Sequence, residues 1–77
     1  MTITIKYFGL LSEVTQCNEE VIECTKTSIS GLLNILFNKH PELKHKDFQV
    51  AQHQEIASKE DLISSNEIAL LPPFAGG

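Results

Sequence analysis

A chain of 77 residues makes one domain, 1–77, and leaves no room for a second core. Its 42% hydrophobic and 21% charged residues are ordinary globular values that argue against disorder. A net charge of −4, with only six Lys and Arg, disfavours nucleic acid, because phosphate binding needs a concentrated basic surface.

Residues 2 to 8 alternate strictly. Ile3, Ile5 and Tyr7 fall on one face and Thr2, Thr4, Lys6 and Phe8 on the other, which predicts a strand with one buried face. Lys6 interrupts this stretch, so it does not read as a signal peptide, and no apolar run approaches membrane-spanning length. A cytoplasmic chain without membrane contact is expected. Gly9 ends the strand, and Leu10, Leu11 and Val14 predict a short helical turn with one apolar face. Glu19 and Glu20 read as solvated loop charges. Val21 to Cys24 reads as a second strand, with either Ile22 and Cys24 or Val21 and Glu23 facing in. Cys17 and Cys24 have no second pair for a zinc or CxxC site and are expected as reduced thiols.

Ile29, Leu32, Leu33, Leu36 and Phe37 follow helical spacing and form a stripe that must face a core. Thr27 or Ser28 can cap this helix, Lys39 suits its end, and Pro41 stops it. Phe48 and Val50 predict a third strand, Ile56 and Ala57 a short fourth, and Glu67 to Leu71 the last, ended by Pro72-Pro73. Lys59 to Leu62 reads as a turn and Ser64-Ser65-Asn66 as a loop. The order predicts an α+β two-layer fold, with the first and last strands paired at the centre of a mixed sheet.

The usual catalytic inventory is poor. His40, His45 and His53 lack metal-ligand spacing, and a two-layer domain of this size offers little depth for a water-excluding pocket. The end of the chain offers different chemistry. Gly76-Gly77 forms the slimmest backbone a chain can have, able to thread a narrow channel, and Pro72-Pro73 stiffens the exit. At the tip is a carboxylate that can be activated as a mixed anhydride and attacked by a nucleophile. Such a tail, mobile over 73–77, can deliver a reactive group into another protein's active site.

Ile3 to Phe8, the segment Asn38-Lys39-His40-Pro41-Glu42-Leu43, and above all Glu67-Ile68-Ala69-Leu70-Leu71-Pro72-Pro73-Phe74-Ala75-Gly76-Gly77 carry a family resemblance. The chain resembles the small, sulfur-carrying subunit of molybdopterin synthase, over essentially its whole length. Where members of that family often carry Val-Asn before the fourth strand, this chain has Gln52-His53. The resemblance implies the ubiquitin-like β-grasp, four or five mixed strands on one main helix with a flexible Gly-Gly tail. It also implies that an ATP-using enzyme, similar to ubiquitin-activating enzymes, adenylates the carboxylate of Gly77. A sulfur donor protein then converts the adenylate to a thiocarboxylate.

By the same resemblance the tail inserts into the large synthase subunit, within a heterotetramer, and sulfur passes to cyclic pyranopterin monophosphate during molybdenum cofactor biosynthesis. This chain would then be a co-substrate that binds no cofactor itself, while the large subunit carries the catalysis. Gly77 is the covalent site and Gly76 the steric one. Phe8 and Leu71, on the outer face by parity, and Ile56, on the short strand nearby, would form an apolar docking patch with Pro72, Pro73 and Phe74 beside the tail. The thiazole-forming sulfur carrier of thiamin synthesis shares this fold and ending. A non-covalent β-grasp binding module with an accidental Gly-Gly end is the reading from another class.

Overall fold

The structure is a computed structural model that describes residues 1–73. In chain order it contains β1 (Thr2–Tyr7), α1 (Leu10–Thr15), β2 (Glu19–Glu23), α2 (Ile29–Lys39), a 3₁₀ helix (Pro41–His45), β3 (Gln49–Gln52), β4 (Glu55–Ala57) and β5 (Glu67–Leu71). The strands form one mixed sheet in the order β2-β1-β5-β3-β4. β1 and β5 are neighbours, as the sequence predicts, and they run parallel, paired from Thr4 with Glu67 to Tyr7 with Leu70. β1–β2, β3–β5 and β3–β4 are antiparallel. This is the α+β, ubiquitin-like β-grasp arrangement.

The inward residues of the two central strands, Ile3, Ile5, Ile68 and Leu70, have no solvent exposure. They meet Ile29, Leu32, Leu33 and Leu36 of α2 in one core cluster, with Phe37 half-buried at its margin. Burying each such side chain stabilises the fold by roughly 1.5–3 kcal/mol. Ser28 caps α2, its Oγ accepting from the Gly31 amide. The Ile29 and Ser30 amides donate to the carbonyls of Asp61 and Lys59, so the turn before β5 satisfies donors that a helix start leaves open.

Several expectations change in detail. α1 exists, but Leu10 is 72% exposed, while Leu11 and Thr15 are buried with Val14 partly so. The helix turns Leu11 and Val14 toward the core cluster, and its first residue stays in solvent. β2 begins at Glu19 and turns Ile22 inward, leaving Val21 on the outer face. β3 begins at Gln49; Phe48 precedes it and meets Phe37 edge-to-face, with ring centroids 6.3 Å apart.

Pro41 ends α2 as expected but opens the 3₁₀ helix, which drops Leu43 fully into the core. Ile63 is also a core residue, held by its amide on the Thr27 carbonyl at 3.0 Å. The Gln52-His53 departure covers the last residue of β3 and the first of the two-residue β3–β4 turn, where His53 (φ 55°) and Gln54 (φ 62°) both take left-handed conformations. Gln52 and His53 tie this turn to Leu62 and Ser64 through side-chain hydrogen bonds.

Glu20 is the largest correction. It was expected in water, yet its side chain is only 12% exposed and accepts from three donors. Tyr7 Oη lies 2.5 Å and His40 Nε2 2.6 Å from Oε2, and Lys39 Nζ lies 2.6 Å from Oε1. A carboxylate is an acceptor only, so His40 must carry its proton on Nε2 in this arrangement. Burial opposes ionisation of Glu20, but the hydrogen bonds from Lys39, Tyr7 and His40 together outweigh it and hold the carboxyl down at about 2. Burial, then the bond to Glu20, pushes the Tyr7 phenol well above its ordinary range. The cluster ties the end of α2 to the β1–β2 pair.

Candidate functional site

Because β1 and β5 run parallel, their C-terminal ends emerge side by side. The Phe8 amide donates to the Leu70 carbonyl at 3.1 Å, which carries the pairing one step past Tyr7. The chain then turns at Gly9 with φ +60°. A Cβ built on Gly9 would stand 2.7 Å from Cγ of Pro72. Gly9 is therefore required twice, by its backbone conformation and by the proline ring against it. Pro72 is half-buried in this contact and Pro73 is exposed. Gly9, Leu10, Leu11, Lys46, Asp47, Pro72 and Pro73 surround an apolar concavity of about 400 Å³ beside the exit.

The outer face of the sheet carries the expected patch residues. Phe8 is 45% and Ile56 57% exposed, whereas Leu71 is half-buried because its strand is flanked on both sides. Phe8 and Leu71 each follow by one position the last β1–β5 pair, Tyr7 with Leu70. Ile56 is two strands away from β5, and the pairs Ala51–Ile56 and Ala51–Ala69 connect it to the others through small side chains. Phe8 and Leu71 thus form one patch beside the exit, and Ile56 a separate one reached across alanines. Lys6 and Glu67 are 3.4 Å apart on the same face. Phe74, Gly76 and Gly77 lie outside the described residues.

Two residues at the exit were not singled out from sequence. Gly9 read only as a strand end, and its contact with Pro72 joins positions 63 apart in the chain. Leu10 read as core; its adjacency to the prolines follows from the β1–β5 pairing alone. No helix among the described residues is long and apolar enough to cross a membrane.

Similarity to known proteins agrees with this geometry. The chain superposes on a protein of Pyrococcus furiosus described as molybdopterin converting factor, subunit 1, with TM-score 0.87 and 18% identity, covering 95% of this chain and 98% of that one. It superposes on small archaeal modifier protein 1 of Haloferax volcanii with TM-score 0.81 and 22% identity over the whole of both chains. The Methanosarcina acetivorans small archaeal modifier protein 1 gives TM-score 0.66 at 23% identity, covering 99% of this chain and 96% of that one. Identities this low speak for the fold. The family is given by sequence: the ThiS family model matches residues 5–77, Gly76 and Gly77 included. With a β-grasp body and a match that runs to its last residue, the chain belongs to the ThiS family of ubiquitin-like sulfur carriers.

Proposed function

We propose that this chain is the sulfur-carrying subunit of a molybdopterin synthase, with Gly77 as its covalent site. The observation that carries the reading is the sulfur-carrier family match through Gly77, on a body whose last strand leads out at Pro72-Pro73 beside an apolar patch. The similarity to a molybdopterin converting factor subunit supports this branch of the family.

In this proposal the Gly77 carboxylate attacks the α-phosphorus of ATP on an activating enzyme, pyrophosphate leaves, and an acyl-adenylate forms. A protein persulfide attacks the acyl carbon and expels AMP. A second thiol cleaves the resulting acyl disulfide, leaving the thiocarboxylate on Gly77 and a disulfide on the donor side. The carrier then docks through Phe8, Leu71 and Ile56 on the large synthase subunit, with Pro72, Pro73 and Phe74 at the channel mouth and Gly76 inside it. The thiocarboxylate sulfur bonds to cyclic pyranopterin monophosphate, in the cytoplasm. Water then cleaves the acyl carbon–sulfur bond, so the sulfur stays on the pterin and the carrier leaves with its carboxylate restored. The body supplies position: the Gly9–Pro72 contact fixes where the tail begins, and near-attack geometry tolerates errors of only about 1 Å.

The small archaeal modifier proteins favour a second reading. There the same acyl-adenylate would pass, through a thioester, to a lysine amine and join the chain to another protein. Intact-mass analysis after incubation with activating enzyme, ATP and a sulfur source separates the two. Exchange of one oxygen for one sulfur on the free chain, followed by sulfur incorporation into the pterin by the large subunit, is expected. Amide-linked conjugates without any thiocarboxylate would install the modifier reading. Absence of both would return the chain to a non-covalent binding module.

A further inference from the structure

On the side of the sheet away from the Phe8 patch, a groove of about 430 Å³ runs between α2, the 3₁₀ helix and the β3–β4 pair. Its floor is apolar, built from Leu33, Phe37, Phe48 and Ala57, with Ile56 bordering it at the sheet edge, and the two rings are only half-buried. Its rim is basic. Lys44, Lys46 and Lys59 all line it, half of the six lysines of a chain that has no arginine and a net charge of −4. Asp47 is the single acidic residue in the lining.

Among the described residues, none of these three lysines makes an ion pair, whereas Lys6 and Lys39 are engaged with Glu67 and Glu20. One wall of the groove is the β3–β4 pair, and β4, the last strand of the sheet, is bonded to β3 alone. Its outer edge leaves main-chain donors and acceptors open to an added strand.

We propose that this groove docks a linear acidic segment of a partner protein, which lies along the β4 edge and places one bulky apolar side chain against the Phe37 and Phe48 rings. Charge complementarity selects the occupant. Three unpaired cations around an apolar floor attract carboxylates flanking a hydrophobic anchor, and the anchor gains by leaving water for the aromatic floor. Lys46 and Asp47 border both this groove and the apolar concavity at the tail exit, so an occupant would sit within reach of the exit. The proposal is independent of the chemistry at Gly77.

The test is an amide chemical-shift titration of the full chain with the capped octapeptide Asp-Glu-Asp-Phe-Asp-Glu-Asp-Asp. Saturable shifts confined to Leu33, Phe48, Val50, Ala57 and their neighbours are expected, and they should weaken with salt. Replacing the peptide's Phe by Ala should reduce affinity about tenfold. The triple variant Lys44→Glu, Lys46→Glu, Lys59→Glu should bind at least about tenfold more weakly, since its rim repels the peptide. The neutral Lys44→Gln, Lys46→Gln, Lys59→Gln chain should fall between, and unchanged spectral dispersion shows that both variants fold. No saturable shift at millimolar peptide, or equal binding by all three proteins, overturns the proposal. So does equally tight binding of a single-stranded oligonucleotide or phosphatidylserine vesicles, which would make the rim a general polyanion surface.

Discussion

Gly9 and Pro72 leave no room for a methyl group between them: a Cβ on Gly9 would stand 2.7 Å from Cγ of the Pro72 ring. This contact joins the end of the first strand to the end of the last. It fixes the point at which the tail leaves the body.

Gly9→Ala should therefore destabilise the protein by about 1–3 kcal/mol, from its positive φ together with the clash. Pro72→Ala removes the ring and opens space for the new methyl group. The double variant should recover part of the loss, because the backbone term at Gly9 persists. A double-mutant cycle by urea denaturation measures the coupling. Strict additivity would remove the contact from the account of the exit.

Leu33 is a buried member of the α2 stripe. Leu33→Ala should cost about 2–5 kcal/mol, a large part of the stability of so short a chain. Thermal or chemical denaturation gives the value directly.

Glu20 should make stability depend on acid. Its folded value of about 2 lies below its ordinary 4.5, so between those pH values the unfolded chain binds more protons than the folded one. Stability should be fully present above pH 4.5 and decline as pH falls toward 2, by roughly 2–4 kcal/mol in all. Glu20→Gln should flatten that limb and be less stable at neutral pH. Tyr7→Phe removes one donor to the carboxylate and should cost about 1.5–3 kcal/mol. Denaturation curves recorded from pH 7 to pH 2 provide the check.

The β3–β4 turn holds two non-glycine residues at positive φ, whereas such two-residue turns favour Asn-Gly. Gln54→Gly relieves one of them without touching the His53–Ser64 hydrogen bond. It should raise stability by roughly 0.5–1 kcal/mol and leave tail chemistry unchanged. A lower melting temperature would show that Gln54 makes a compensating contact.

Phe8 is exposed beside Leu71 and makes no core contribution. If the proposed synthase assembly forms, Phe8→Ala should weaken it by about 1 kcal/mol or more while sparing thermal stability. Ile56→Ala, on a patch two strands beyond β5, should add independently of Phe8→Ala. Titration calorimetry with the large subunit reads both.

Much of the fold was legible in sequence because it rests on periodicity. Alternation in Ile3, Ile5 and Tyr7 and the stripe from Ile29 to Phe37 each need one buried face, and the only economical solution stacks them. The reading of the last strand as a central neighbour of the first followed from the same hydrophobicity. The family was equally legible, because the pattern that carries the resemblance runs through the Gly76-Gly77 ending that the family model also matches. What sequence could not assign were properties of pairs. Glu20 looks like any loop acid until Tyr7, Lys39 and His40 converge on it, and then its environment lowers its pKa against the pull of burial. Gly9 looks like a strand end until parallel pairing brings Pro72 against it. Leu10 and Leu11 are identical in composition, yet one is exposed and the other buried, because α1 turns only one of these two successive positions toward the core. Local pattern determines which residues need a face. Only the tertiary structure decides which faces meet, because strand order and loop path bring together residues far apart in the chain.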